Sequence, residues 1–446
     1  KATARSVYKA LAKFTAAQNG VEAVIQPLEP AAVSLVHQRE GLFTLRVQPQ
    51  NDPLEPTATP SHFILYRSMN GTAFNNGTAF TAEENEQDQI TVQIPDGETH
   101  YFKVTAANGG GQSLPSSVVG GSFHAEMGTK RVLLVDAFDR ISGPEIIEKP
   151  GARGFDRSSD PGVGYHYNYG LVGDQYNFDY DSEWKNDLEN PGRGGSTSEM
   201  EDKLELGNQF NHVVAYGDIL QQSSIPFDSV SRLGFSSLTP TYYSAIIWIG
   251  GEQKTVPPYQ EAPNLREGNP DQMKNEFPLV TPEQAEILQQ YLAEGGKLLI
   301  SGSYVGEELI GKNSSPQSRG LANSVGLNGF HSGATRINSI VPATVDAYFD
   351  ESIPARFGHD LQAPINIETP VYRVENAEAY TANADAVIHY GDRETVAGFM
   401  TNKAAVFGFP LETVLPQKQR EVLILGSLRT LLGEDLPIIE ADEKNP

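Results

Sequence analysis

Two different strand patterns share this chain, and each demands its own kind of core. Between Val21 and His124 apolar and polar residues alternate. Phe43, Leu45 and Val47 do so in "FTLRVQP", followed by "HFILYRSMNGTAF" and "QITVQIPDGETHYFKVTAANGGGQS" with turns at Asn70-Gly71 and Asp96-Gly97. Alternation sends one face to a core and the other to water, so this stretch predicts an antiparallel β-sandwich of about 100 residues. From Lys130 the runs become continuous: "RVLLVDAF", "HVVAYGD", "SAIIWIGG" and "KLLISGS". Strands covered by helices on both faces read this way. The 446 residues are also too many for one ordinary domain.

The elements between the runs support an α/β arrangement. "TPEQAEILQQYLAEGG" offers Thr281 as N-cap, Pro282 at the first helical position and Gly295 as the stop. Strand, helix, strand predicts a right-handed crossover in a doubly wound sheet. "DAVIHYG", "TVAGFM" and "AAVFGF" predict three successive strands, the last two joined at Thr401-Asn402-Lys403, and a helix is expected from Gln417 to Leu432. Residues 141–210, rich in Gly, Asp, Asn and aromatics, read as a large insertion. At the other end, residues 1–18 predict an amphipathic helix with Val7, Leu11 and Phe14 on one face. A stripe that narrow needs a partner, either the next domain or something upstream.

Two resemblances follow from these pieces. Phe63-Ile64-Leu65-Tyr66-Arg67-Ser68 with Asn70-Gly71, and His100 to Asn108 followed by Gly111 and Ser113, resemble a fibronectin type III domain. His100 stands where that family usually places a corner tyrosine, with Tyr101 beside it. The resemblance implies a spacer or binding module. "SAIIWIGGEQ", "KLLISGSYVGEELI" and "AAVFGFPLET" resemble the class I glutamine amidotransferase-like fold: a strand ending in paired glycines, a strand–elbow–helix, and the late strand that carries the catalytic His and Glu. The expected organisation is a helix over 1–19, a sandwich over 20–126, and an α/β domain over 127–446 with the insertion at 141–210.

Carried over to this sequence, that machinery is incomplete. Tyr304 occupies the cysteine position and Pro410 the histidine position; Glu412 alone is kept. A phenol with a pKa near 10 and no adjacent base is a poor nucleophile at neutral pH, so glutamine hydrolysis by the family mechanism is excluded. Ligands of open α/β sheets bind beyond the carboxyl ends of the strands. Asp136, Asp139, Asp218, Gly251, Glu252, Ser303, Tyr304 and Glu307 are expected at that edge. Carboxylates there could do acid–base work or hold a divalent cation, while Asp and Ser at strand ends more often cap the helices that follow. In the insertion, Tyr165, Tyr167, Tyr176, Tyr180 and Trp184 lie among carboxylates, as a sugar-stacking platform would require; the same rings could instead form the loop's own small core.

Composition narrows the partners. Lys+Arg 33 against Asp+Glu 57 gives −24, a charge that repels phosphate backbones and argues against nucleic acid. With no cysteine there are no disulfides, thiolate metal sites or cysteine nucleophiles. The nine histidines show no metal-ligand spacing, so neither a metal nor a cofactor is expected. No run reaches the length of a membrane span. The chain starts at Lys1 without a signal peptide, which reads as a mature form or a fragment. The whole arrangement resembles exported bacterial proteins labelled xanthan lyases, and the opening helix resembles the last helix of a zinc-dependent N-acetylmuramoyl-L-alanine amidase domain. That resemblance implies an extracytoplasmic accessory or glycan-binding region of a protein acting on polysaccharide or peptidoglycan, with a catalytic domain upstream. A carbohydrate hydrolase or lyase using the strand-end carboxylates, and a protein-binding scaffold, are the alternatives.

Overall fold

The structure is a computed structural model. It describes residues 2–81, 89–127, 131–140, 145–149, 152–156, 210–256, 277–334, 338–343, 355–358, 371–372, 374 and 376–433. The chain forms two compact units: Lys1–Asp136 with Asn211–Ile246 and Leu436–Pro446, and Ala137–Phe210 with Ile247–Asp435.

The first unit contains the expected sandwich. Its strands run β1 (Ala32–Arg39), β2 (Leu42–Gln48), β3 (His62–Ser68), β4 (Thr78–Phe80), β5 (Gln89–Gln93), β6 (Thr99–Asn108), β7 (Gly111–Gln112) and β8 (Val119–Ser122), followed by β9 (Val132–Asp136). One sheet has the order β4-β3-β6-β7, with β8 also paired to β6. A hairpin belonging to the second unit, β10 (Glu145–Lys149) and β11 (Ala152–Asp156), precedes β12 (Phe227–Ser231) in the chain. The other sheet of the first unit then reads β9-β12-β1-β2-β5. Between the two sheets lie Leu35, Phe43, Leu45, Phe63, Ile94, Phe102, Val104 and Val119, all buried. The alternation read in β2 is therefore real: Phe43, Leu45 and Val47 face inward while Arg46 and Gln48 are exposed.

The units do not part at 126/127. β12 pairs antiparallel with β1, Ser34 opposite Val230, and parallel with β9. The chain thus returns after the insertion to extend the sandwich. "HVVAYGD", read as a strand ending at Asp218, is instead the start of helix α2 (Val213–Gln222), after α1 (Ala2–Gln18). Val213, Tyr216, Ile219 and Leu220 are buried at helical spacing, and Asp218 accepts the Tyr101 hydroxyl at 2.6 Å. A seven-residue apolar run does not separate strand from helix by itself. Tyr101, beside His100, is buried and is held by this bond; burial and Asp218 push its phenol pKa far up.

Helix α1 docks by the face opposite to the one expected. Arg5 and Lys9 reach Asp52 at 2.8 and 2.6 Å, Lys13 reaches Glu55 at 2.6 Å, and the Tyr8 hydroxyl accepts the Gln26 N–H. Val7, Leu11 and Phe14 stay 54, 62 and 65% exposed.

The second unit holds a mixed sheet built from β13 (Ala245–Ile249), within which the chain passes from one unit to the other, and the strands after it. These are β14 (Leu298–Ser301), β15 (Leu327–Ser332), β16 (Ser339–Pro342), β17 (Ala355–Phe357), β18 (Glu378–Ala382), β19 (Asp385–Tyr390), β20 (Val396–Met400), β21 (Ala404–Phe407) and β22 (Val414–Leu415). The order is β22-β17-β16-β19-β20-β21-β14-β13, while β15 and β18 make a separate antiparallel pair. β14 and β21 are parallel, whereas β19-β20-β21 run antiparallel. Helices α3 (Pro282–Ala293), α4 (Val305–Ile310), α5 (Pro316–Val325) and α6 (Gln417–Leu432) complete the unit. Thr281 and Gln284 form a reciprocal capping box at the start of α3, where the sequence placed it.

Candidate functional site

β14 is an interior strand, so Gly302-Ser303-Tyr304 does break from the middle of a sheet into α4. Two glycines make the close approach. Gly250 follows β13 with its N–H donated to the Ser301 carbonyl at 2.8 Å, and a Cβ there would sit 2.6 Å from that same oxygen. Gly251 has φ +49°, and a Cβ would fall 2.2 Å from the Phe138 ring.

The turn does not present Tyr304 as a nucleophile. A nucleophile elbow relies on a sharp, strained strand-to-helix turn that leaves its central side chain exposed. Tyr304 has φ −135° and is buried. Two cations approach its ring, the Lys254 ammonium at 5.0 Å and the Arg140 guanidinium at 5.9 Å from the centroid. Three backbone donors around the turn are used internally: Gly302 N–H goes to Phe407 O, Ser303 N–H to Gly251 O, and Gly250 N–H to Ser301 O. Asn376 Nδ2 donates to the Ser303 carbonyl at 2.8 Å.

The carboxylates expected at the strand ends separate into different roles. Glu252 is fully buried, and its Oε1 accepts the buried Ser303 hydroxyl at 3.2 Å. Asp139 accepts Gln253 Nε2 at 2.7 Å, while Gln253 Oε1 receives the Asp139 and Arg140 N–H groups. Glu307 is half-buried at the start of α4. Asp136 ends β9, buried, and both it and Asp218 belong to the first unit. Glu412 accepts the Tyr372 hydroxyl at 2.7 Å, and Pro410 starts the short turn Leu411–Thr413. Tyr165, Tyr167, Tyr176, Tyr180 and Trp184 lie outside the described residues. Among the described residues no group of three or more His, Asp or Glu could hold a metal, and no helix is long and apolar enough to cross a membrane.

Two glutamates missed at the sequence level, Glu378 buried and Glu308 half-buried, fix α4 in place. Glu378, at the start of β18, accepts the Gly306 N–H at 2.5 Å, the Glu307 N–H at 2.9 Å and the Tyr380 hydroxyl at 3.2 Å. Burial pushes its pKa up to about 8, against the lowering effect of the two backbone donors. Glu308 accepts both the N–H and the hydroxyl of Thr255 at 2.7 Å and the Leu279 N–H at 3.1 Å; burial raises its pKa too. The signal for Glu378 was a lone acid among Ala377, Ala379 and Tyr380. Arg140, Lys254 and Asn376 carried none.

No protein-family model matches the chain, and comparison with curated proteins gives no match. Similar solved structures include the fibronectin type III domain of human fibronectin type III domain containing protein 3, at 24% identity over 23% of this chain and 91% of that one, TM-score 0.19. A fourth human FNIII domain matches at 17% identity over 22% and 81%, TM-score 0.19. A structure described as a myokine matches at 13% identity over 22% and 99%, TM-score 0.19. These likenesses cover less than a quarter of this chain and say nothing about the remainder.

Proposed function

We propose that this chain is a non-catalytic accessory region of an exported bacterial protein acting on polysaccharide or peptidoglycan. In this reading the first unit is a fibronectin type III-like spacer or binding module. The second is a scaffold of the doubly wound, class I glutamine amidotransferase-like kind that has lost its chemistry. One observation carries the proposal: at the strand-to-helix turn the Gly302 and Ser303 N–H groups and the neighbouring Glu252 and Glu378 carboxylates are committed to internal partners, and the side chain at 304 is a buried tyrosine. A site that stabilises a transition state keeps donors aimed at the reacting group, and here those donors already serve the fold.

A glycan array and sedimentation with peptidoglycan test the proposal on the full chain, alongside assays for ammonia from glutamine and for cleavage of soluble polysaccharides. Binding without turnover is the expected result. Capture of proteins but no glycan would move the reading to a protein-binding scaffold. The Ser303–Glu252 hydrogen bond favours a second reading, a hydrolase with Ser303 as nucleophile and Glu252 as base. Turnover abolished by Ser303→Ala and by Glu252→Gln would establish that reading and overturn the first.

A further inference from the structure

We infer that the Asn76–Gly77 bond is a site of spontaneous backbone modification through a cyclic imide, and that the fold shields the same sequence six residues earlier. The pentapeptide Asn-Gly-Thr-Ala-Phe occurs twice, at 70–74 and 76–80. In an Asn-Gly pair the glycine amide nitrogen attacks the γ-carbonyl carbon of the asparagine, and glycine has no Cβ to obstruct the approach. A new bond forms between that carbon and the backbone nitrogen. The bond from the same carbon to the asparagine Nδ2 breaks, and Nδ2 leaves with the displaced proton as ammonia. Water then opens the imide at either carbonyl, giving aspartate or, where the main chain now runs through the former side chain, isoaspartate. Water is the one co-reactant.

The four residues after each asparagine are identical, so a large difference in rate between the two sites, once folded, arises from the fold. Asn70 is restrained at both reacting ends. Its Oδ1 accepts from Ser68 Oγ at 3.0 Å, Thr72 N and Oγ1 at 3.1 Å each, and Ala73 N at 2.9 Å. The nucleophile, Gly71 N–H, is buried and donates to Ser68 Oγ at 2.9 Å. Asn76 is exposed, and its side chain has no hydrogen-bond partner among the described residues. Gly77 N–H is held by one longer bond, 3.2 Å to the exposed Asn75 Oδ1. The product would place a new carboxylate, and in the isoaspartate an extra backbone carbon, directly before β4, which pairs with β3 through Leu65 and Thr78.

The test is peptide mapping by mass spectrometry after incubation of the full chain in mildly alkaline buffer, with and without urea. In the folded protein Asn76 should convert on the order of tenfold faster than Asn70, the factor that roughly one net hydrogen bond supplies. In urea the two rates should converge. Ser68→Ala, which removes a partner from both reacting ends of Asn70, should raise its rate toward that of Asn76. Equal rates in the folded protein would overturn the inference, as would an Asn76 that stays intact while the urea sample converts. A folded Ser68→Ala protein with Asn70 unchanged would overturn it too.

Discussion

Replacing Glu378 tests how the strand-to-helix turn is held. Its carboxyl group receives two backbone N–H groups from the first turn of α4 and the Tyr380 hydroxyl, all in a buried setting. Glu378→Ala removes the acceptor and leaves two N–H groups without it. At about 1–3 kcal/mol for each orphaned buried group, the loss should be about 2–6 kcal/mol. The pH dependence gives a sharper reading. The native pKa is raised from 4.5 to about 8, mainly by burial, so between those values the folded state keeps a proton that the unfolded state has released. The stabilisation is therefore complete below pH 4.5 and is lost as pH rises through 8. Its slope is at most roughly 1.4 kcal/mol per pH unit for one proton. Urea unfolding of the wild type and Glu378→Gln across this window measures it, with hydrogen exchange at the Gly306 and Glu307 amides as a local probe. The glutamine variant should lose that slope. An unchanged slope, or unchanged exchange at those two amides in Glu378→Ala, would refute the reasoning.

Four further outcomes are expected. The first unit should respond to pH in the opposite sense: burial lowers His212 from 6.5 to about 3, and burial with Arg131 lowers His37 to about 4, so its stability should fall as pH drops below 6.5. Hydrogen exchange resolved by unit reads both signs in one sample. Asp228→Ala should destabilise by about 3–5 kcal/mol in urea unfolding, because Arg131 then loses the buried carboxylate it meets at 2.8 Å. Tyr304→Phe should shift the urea midpoint little, whereas Tyr304→Ala should cost about 3–5 kcal/mol as a buried aromatic truncation. In α1, Leu11→Ser should change stability by no more than about 0.5 kcal/mol because that side chain is exposed. Asp52→Asn should loosen the helix by about 1 kcal/mol or less, and amide exchange over residues 5–13 would show it.

What could be read from residues alone was whatever neighbours in sequence decide. The N-cap at Thr281, the alternation of Phe43, Leu45 and Val47, the turn between β20 and β21, and the break after Ser301 each rest on contacts within a few positions. The residue types at Tyr304 and Pro410, and the lack of any cysteine, were equally legible, because chemistry is fixed by residue type. Tertiary structure decided the rest. Residues 213–222 form a helix that buries Val213, Tyr216, Ile219 and Leu220, and Asp218 gained a hydroxyl partner 117 positions away in the sequence. Helix α1 turned its basic face inward because Asp52 and Glu55 lie there, a choice its amphipathic pattern cannot encode. β12 rejoined the sandwich across the insertion through its pairing with β1. Glu378 found its role only when Gly306, 72 residues earlier, brought an N–H to it. Local propensity sets which elements can form; long-range hydrogen bonds and burial select their faces and partners, and those terms are absent from any short window of sequence.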